Sequence, residues 1–375
     1  MTVKQPLSLA FMGDVRVPER TTRAGKAVGV GADPFAEVNE WLSGADLVIA
    51  NLEGPIGGGG TVRPGRGALL FNDSRVLDLM APWKKTLLVL ANNHLMDFGP
   101  EGLARTLETL ELRNIPYVGA GMDEAAAQRP CILNLRGRSV AFLAFTTEER
   151  HVGSVCAHGQ TPGCAEFRPA EAVEAVRALA RSVDVVCVIL HWGHERHAYP
   201  TPAQVAGISD LVQAGARLVV GHHPHVLQGM HAVGEALVAY SLGNCYFPPF
   251  EQTNGRMSLQ SAEEREFLLL KAHVDERGGI QPEILGGSCG PDERLHPFVG
   301  SDRLEFESRF QRLAEPLHRG GYDGFYAAYA RVRAVELERQ GLWHSLRKVR
   351  MQDLQSIRMD DIQRLWKRLT AMRRR

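Results

Sequence analysis

The chain has 375 residues, of which 44% are hydrophobic and 23% are charged, and its formal net charge is zero. This composition excludes an intrinsically disordered chain, and the length suits one large α/β domain with an appendage. No run approaches the roughly 18 apolar residues that a membrane span requires, so we expect none. The six cysteines are scattered without a CxxC pair, which predicts reduced thiols and a cytoplasmic protein.

Short runs rich in Val, Leu and Ile alternate along the chain with stretches that have the apolar spacing of helices. The first run leads directly into Gly13-Asp14 and indicates a strand, not a signal peptide. The predicted strands are residues 7–12, 46–50, 86–90, 139–145, 183–190 and 217–220, and the predicted helices are residues 34–42, 100–113, 169–181 and 202–214. This alternation predicts a largely parallel sheet that is covered on both faces.

Other segments predict antiparallel pairing. Residues 131–135 and 139–145 form a predicted hairpin, and residues 236–240, 267–274 and 280–285 add further antiparallel elements. We therefore expect an α/β layered sandwich with mixed sheets.

The strand pattern ends near residue 290, where we place a domain boundary between residues 1–290 and a helical extension, residues 291–375. The extension has predicted helices at 302–317, 322–340 and 354–372. Residues 331–375 contain 13 Lys/Arg and 5 Asp/Glu, which leaves 30 and 38 for residues 1–330. This basic tail either docks on the acidic body of the same chain or binds a partner, for which a synthase is our candidate. We expect no nucleic acid partner.

Polar side chains follow five of the six predicted strands, at the point where each strand ends. They are Asp14; Asn51 and Glu53; Asn93, His94 and Asp97; His191 and Glu195; and His223 and His225. The carboxyl ends of parallel strands meet at one edge of a sheet, so these side chains can lie close together. Each has an ordinary structural explanation, such as a buried histidine or a helix-capping Asp14. Their coincidence at five strand ends nevertheless predicts a metal site.

The residue types define the expected metal. Carboxylates, an amide oxygen and imidazoles suit Mn, Fe or Zn better than Ca. Five or six ligands exceed the four of one tetrahedral ion, which favours two divalent ions. A bound ion lowers the pKa of its water to about 7, so the pattern predicts hydrolysis. In the Asn93-His94 pair, the histidine that does not bind metal is our candidate for protonating the leaving group.

At these residues the chain resembles the CapA family of capsule (poly-γ-glutamate) biosynthesis, a branch of the calcineurin-like metallophosphoesterase fold. The matching strings are Phe11-Met12-Gly13-Asp14, Asn51-Leu52-Glu53-Gly54, Ala91-Asn92-Asn93-His94 with Asp97 and Gly99, His191-Trp192-Gly193 with Glu195, Gly221 to His225, and Ser241-Leu242-Gly243-Asn244. They occur in the family's order. The resemblance implies a four-layered α/β/β/α sandwich that forms a catalytic domain in residues 1–290, and it does not cover the helices beyond.

The resemblance also implies a role for each residue of the site. The first ion is bound by Asp14 and His225, the second ion by Asn93, His191 and His223, and both ions by Glu53. The implied acid is His94, held by Asp97.

One position departs from the pattern of the fold. Arg16 stands where metallophosphoesterases carry a histidine, so the first metal site lacks a ligand and Arg16 can instead bind an anionic substrate group. Residues expected at the substrate are Arg16, Asn51, Arg63, Arg66 and Glu195, with Arg20 and Arg23 as further cations of the first loop. Ordinary solvated arginines are the alternative explanation for this arginine set.

The resemblance implies a metal-dependent hydrolase acting on an amide or γ-glutamyl-type bond in polymer or secondary-metabolite assembly. Its substrate would be a poly-γ-glutamate-like polymer or another anionic small molecule. Two alternatives remain. One is a phosphoesterase with the same dinuclear site, and the other is a non-catalytic capsule-assembly protein. The missing ligand at Arg16 favours the non-catalytic protein, whereas the intact Asn93-His94 pair argues against it.

Overall fold

The computed structural model of the protein describes residues 5–19 and 33–346. The strands in these ranges are β1 Leu7–Val15, β2 Leu47–Leu52, β3 Thr86–Val89, β4 Tyr117–Val118, β5 Ala120–Gly121, β6 Cys131–Leu135, β7 Arg138–Thr146, β8 Gly163–Cys164, β9 Val185–His191, β10 Leu218–His222, β11 Met230–Val233, β12 Ala236–Ala239, β13 Asn244–Tyr246, β14 Phe250–Glu251, β15 Met257–Ser258, β16 Glu266–Val274, β17 Ile280–Cys289 and β18 Leu295–Pro297. The helices are α1 Asn39–Ser43, α2 Arg75–Leu79, α3 Gly99–Leu112, α4 Glu124–Ala127, α5 Pro169–Ala180, α6 Pro202–Ala214, α7 Ala262–Arg265, α8 Gly300–Arg312, α9 Glu315–His318 and α10 Tyr322–Leu346.

Two large sheets form the body of the protein. The first sheet has the order β18-β17-β16-β1-β2-β3-β4, and β13 pairs in parallel with the end of β1. The second sheet has the order β11-β12-β10-β9-β7-β6. Strands β1 to β4 are parallel to one another, as are β7, β9, β10 and β12, while β16 to β18, β6 and β11 pair antiparallel. The carboxyl ends of the central strands therefore lie at one edge of each sheet.

Alternate residues of the central strands face different cores, because successive side chains of a strand point to opposite faces. In β1, Phe11 packs between the two sheets, whereas Met12 packs against the helices outside the first sheet, α3 among them. In β9, Ile189 faces the core between the sheets, and Val188 faces α5 and α6 outside the second sheet. Three hydrophobic layers thus separate four layers of secondary structure, and the predicted α/β/β/α sandwich is confirmed.

The predicted strands and the helix at 34–42 have observed counterparts, with one local difference in a strand and one in that helix. Strand β1 continues to Val15, so Asp14 lies within a strand. The predicted helix at 34–42 begins only at Asn39. The Asp33 side chain accepts hydrogen bonds from the backbone N–H of Phe35 and from Asn39 Nδ2, which stabilises a turn in place of the first helical residues. Two-residue strands such as β4, β5 and β8 were not predicted, because so few residues carry no periodic pattern.

The chain divides into two compact units, residues 1–318 and residues 319–375, whereas the sequence predicted a boundary at 290. The later division has a physical cause, since Phe306 and Phe310 of α8 are buried in the core between the sheets. The predicted helix at 302–317 is α8 followed by α9, and the one at 322–340 is α10. The predicted helix at 354–372 lies outside the described residues. Of the helices that the structure describes, none is long and apolar enough to cross a membrane.

Candidate metal centre

The ends of the central strands of both sheets converge on one place. Asp14 of β1 is level with Asn51 of β2, and His222 of β10 is level with His191 of β9. Asn51 joins the two sheets, because its Nδ2 donates to Asp14 Oδ1 over 2.7 Å and lies 3.3 Å from His191 Nδ1. Asn51, which we expected at the substrate, is fully buried between these two side chains. It is therefore placed to orient them.

A first group of metal-ligand side chains consists of Asp14, Glu53 and His225, with one ligand atom of each within 4.8 Å of the others. His225 Nδ1 lies 2.9 Å from Asn244 Oδ1 and 3.3 Å from Asp14 Oδ2, while His225 Nε2 lies 3.7 Å from Glu53 Oε1. Burial by itself raises the pKa of Asp14, but hydrogen bonds with His222 and His225 hold it well below its ordinary value. Asp14 is therefore a carboxylate at neutral pH.

Glu53 is the most unusual carboxylate of the site. It is fully buried, and neither of its oxygens has a hydrogen-bond partner among the described residues. Burial raises its pKa to about 8; the charge of His225 opposes this rise, and the charges of Asp14 and Glu195 add to it. Buried carboxylates are ordinarily paired, because removing their water costs several kcal/mol. A pKa of about 8 favours the protonated form of Glu53 in the free site at neutral pH, and its two oxygens have the chemistry of cation ligands once that proton is lost.

A second group consists of Asn93, His191 and His223. His191 Nε2 lies 3.1 Å from Asn93 Oδ1, and the rings of His191 and His223 are 4.9 Å apart between centroids. Both ring nitrogens of His223 are buried and have no hydrogen-bond partner in the part of the chain that the structure describes. Burial lowers the pKa of His223 to about 4, so its ring is neutral and carries a free lone pair. Its φ of +94° is rare outside glycine and indicates a conformation that the surrounding structure imposes.

His94 is held by two charged neighbours. Its Nδ1 lies 2.6 Å from Asp97 Oδ2 and donates to it, and Asp97 also accepts from the backbone N–H of Leu70. Arg66 Nε lies 3.3 Å from Asp97 Oδ1, and Arg66 Nη2 lies 3.1 and 3.2 Å from the two ring nitrogens of His94. Because those two distances are nearly equal, the guanidinium nitrogen lies over the face of the ring. His94 Nε2 then remains open in the ring plane, 3.9 Å from Glu53 Oε1.

The protonation of His94 follows from its surroundings. Burial lowers its pKa; the charge and hydrogen bond of Asp97 oppose this effect, and the charge of Arg66 adds to it. The neutral ring is therefore favoured in the free site at neutral pH.

Arg16 does not reach into the open part of the site. It is buried, its Nη1 donates to the carbonyl oxygen of Pro248 over 3.4 Å, and its guanidinium lies 5.5 Å from the centroid of the Phe250 ring. Burial lowers the pKa of Arg16 to about 10, and the charge of Glu53 opposes the decrease. Arg16 is thus a buried positive charge near Glu53, where we had expected a substrate contact.

A cleft of about 320 Å³ opens over the site. Of the residues predicted from the sequence, its lining includes Arg66, Asn93, His94, Glu195 and His225. Arg63 points elsewhere, since its Nη1 donates to the carbonyl oxygen of Gly153 over 2.8 Å. Arg20 and Arg23 lie outside the described residues. Arg150 and Arg196, which the sequence analysis did not select, bring the arginines of the lining to three.

Three further residues of the site were not selected from the sequence. His222 Nδ1 lies 3.2 Å from Asp14 Oδ1, and Asn244 contacts His225 as described above. Asn92 ties its own loop to the end of β2, because it accepts from the backbone N–H of Gly54 over 3.2 Å and donates to the backbone carbonyl of Leu52, the last residue of β2, over 2.9 Å. All three stand inside the strings that carry the family resemblance, so their position was the available signal.

Comparison with known proteins identifies the family. The sequence model of a family described as bacterial capsule synthesis protein PGA_cap matches residues 8–249. The chain belongs to this family. The match covers the second sheet, strands β1 to β4 and β13 of the first sheet, and every strand-end residue of the site, so the family resemblance drawn from the sequence is confirmed.

The matches with relatives in the capsule synthesis family span only part of each relative's length. The capsule biosynthesis protein CapA of Bacillus anthracis is 28% identical over 250 residues, which are 65% of this chain and 60% of the relative. The PGA biosynthesis protein CapA of Bacillus subtilis is 28% identical over 243 residues, 64% of this chain and 63% of the relative. The chain thus spans about three fifths of the length of these relatives. Among solved structures, the calcineurin-like phosphoesterase YfkN of Bacillus subtilis aligns with a TM-score of 0.40 and 13% identity, covering 83% of this chain and 97% of that one.

Proposed function

We propose that the protein is a metal-dependent hydrolase that acts on an amide or γ-glutamyl-type bond in the assembly of poly-γ-glutamate or a related product. The observation that carries the proposal is the environment of Glu53, a fully buried carboxylate with two unpartnered oxygens beside Asp14 and His225. A divalent cation satisfies those oxygens. Membership of the capsule synthesis family supports the connection to polymer assembly.

The donor atoms present fit divalent ions. A first ion would be held by Asp14, Glu53 and His225, and a second by Glu53, Asn93, His191 and His223. This mixture of carboxylate, amide and neutral imidazole donors suits Mn, Fe or Zn. When bound, such ions supply a water whose pKa is lowered to about 7, which makes a nucleophile available at neutral pH.

We assign proton transfer to His94. Asp97 fixes its Nδ1, its Nε2 lies 3.9 Å from Glu53 Oε1, and His94 is one of the residues that line the cleft. Because the neutral ring is favoured in the free site, His94 would first accept the proton that the attacking water releases and then donate it to the leaving group. This step matters most for an amide, since an amine leaves only after its nitrogen is protonated.

The cleft supports an anionic substrate. Arg66, Arg150 and Arg196 line it, the last of them paired with Glu264, and arginine pairs with carboxylates through charge-assisted hydrogen bonds. Poly-γ-glutamate carries a free carboxylate on every residue, so a chain of this type suits the lining. The basic tail, residues 331–375, remains our candidate for contact with a synthase.

A substrate panel tests the proposal. The purified protein is freed of metal, reconstituted with Mn²⁺, and assayed with γ-glutamyl-p-nitroanilide, p-nitrophenyl phosphate and bis-p-nitrophenyl phosphate. We expect Mn²⁺-dependent release from the γ-glutamyl amide and its loss in His94→Asn. Turnover of the phosphoesters alone would establish the phosphoesterase alternative. A protein that binds metal and turns over none of them would favour the non-catalytic assembly role.

A further inference from the structure

We propose that Glu195 is a metal ligand, which joins His223 and His225 at the cleft side of the centre. This inference rests on the metal requirement in the proposed function. One ligand atom from each of these three residues lies within 4.8 Å of the other two. Glu195 was expected at the substrate, and the family pattern carried over from the sequence gives it no place among the ligands.

The backbone fixes Glu195 beside the two histidines. After β9 the chain turns at Gly193, which has a φ of +95° and lies so close to Gln204 that an added Cβ would be 2.7 Å from its Nε2. The backbone N–H of Arg196 then donates to the carbonyl oxygen of Pro224 over 2.7 Å. The loop that carries Glu195 is thus hydrogen-bonded to the loop between His223 and His225. The backbone, and not only a flexible side chain, therefore places Glu195 near the two histidines.

The chemistry of the neighbouring donors favours a carboxylate at this position. His223 offers two buried ring nitrogens that have no partner among the described residues. Asn93, His191 and His223 are all uncharged donors. The second ion would therefore have a negative ligand only if Glu53 is shared between the two ions. Glu195 makes no hydrogen bond or ion pair within residues 5–19 and 33–346 that would compete with an ion. A carboxylate from Glu195 would give the second ion a negative ligand of its own.

His225 limits how the two ligand groups can be filled. Its Nδ1 faces Asn244 and Asp14, so Nε2 is the nitrogen available to a metal, and one nitrogen binds one ion. His225 can therefore complete the group with Asp14 and Glu53 or the group with Glu195 and His223, but not both at once. In the first arrangement Glu195 and His223 together hold the second ion. In the second arrangement Glu195, His223 and His225 hold one ion together. Glu195 is a ligand in both arrangements.

The test measures metal binding and not turnover. Metal-free full-length protein and its Glu195→Gln variant are titrated with Mn²⁺ by calorimetry, and bound metal is counted by elemental analysis after gel filtration. We expect the variant to lose one ion or to bind Mn²⁺ at least about 10- to 100-fold more weakly, since even groups that only support metal ligands contribute that much. Glu195→His should recover part of the affinity, because imidazole also binds Mn²⁺ and Zn²⁺.

A matched control uses Glu149, an exposed carboxylate on a neighbouring loop that pairs with His151. Glu149→Gln should bind Mn²⁺ like the wild type, and thermal melts of the metal-free proteins check that each variant is folded. Equal Mn²⁺ content and affinity in the wild type and in Glu195→Gln would overturn the ligand assignment while leaving the proposed hydrolase intact. A wild-type protein that takes up no Mn²⁺, Zn²⁺ or Fe²⁺ would overturn both.

Discussion

Replacing Phe306 by Ala tests whether α8 belongs to the core of the first unit. The ring is buried between the sheets, lies 5.3 Å from the Phe298 ring and 6.1 Å from the Phe310 ring, and covers Gly286, where an added Cβ would be 2.0 Å from it. Gly286 belongs to β17, whose pairing with β16 prevents the strand from moving into the space that the ring leaves. The variant therefore loses the free energy gained by burying the ring and also has to maintain the cavity that the ring leaves. We expect its free energy of unfolding to fall by about 3–5 kcal/mol.

Such a loss is a large part of the roughly 5–15 kcal/mol that stabilises a typical domain. The assay is urea unfolding followed by circular dichroism, with the slope of the transition compared between proteins. The control is Leu304→Ala on the same helix, where the side chain is 68% exposed, and it should change the free energy of unfolding by less than about 0.5 kcal/mol. If Phe306→Ala costs no more than Leu304→Ala, then α8 is not part of the core, and the domain boundary belongs near residue 290.

Three other predictions concern the site and the tail. His94→Asn should lower turnover about 10²- to 10⁴-fold with unchanged metal content by elemental analysis, whereas His223→Asn should lose metal and activity together; loss of metal in the His94 variant would show that the ligand assignment is wrong. Mn²⁺ at about 100 times its dissociation constant should stabilise the wild type by about 2.7 kcal/mol in urea unfolding, and no increase would argue against binding to the native state. Deletion of residues 354–375 should leave hydrolysis intact, while complete loss of activity with metal still bound would place the tail in the substrate site or in a required oligomer.

The sandwich and the strand ends could be predicted because their signals are local. Strands such as β2 and β9 are buried on both faces and appear in the sequence as unbroken apolar runs that end in a polar residue. Strand β13 has three residues and no such signal, yet it extends the sheet beside Asp14. Its pairing depends on Gly13, where an added Cβ would lie 2.1 Å from the carbonyl oxygen of Gly243. Contacts of this kind join distant residues and leave no periodic pattern in either segment.

The sequence could predict which residues gather at the site but not where each of their side chains points. The position of Asp14, Glu53 and His223 after strands indicated that they would meet, and they do. The direction of Arg16 depends on Pro248, which lies 232 residues further along the chain, and so the expected substrate contact became a buried contact with a backbone carbonyl. The position of Glu195 similarly depends on the hydrogen bond between two loops that follow different strands.

Both sheets contribute residues to the proposed metal centre, and this links the stability of the fold to its function. Among the proposed ligands, Asp14, Glu53 and Asn93 belong to strand ends of the first sheet, and His191, Glu195, His223 and His225 belong to strand ends of the second. These side chains meet only when the core between the sheets is packed, so the proposed metal centre forms only in the folded state. Because burial of Glu53 without a partner costs free energy and a cation recovers it, ion binding and closure of that core should reinforce each other. A substitution in the inter-sheet core is therefore expected to weaken metal binding even where it touches no ligand.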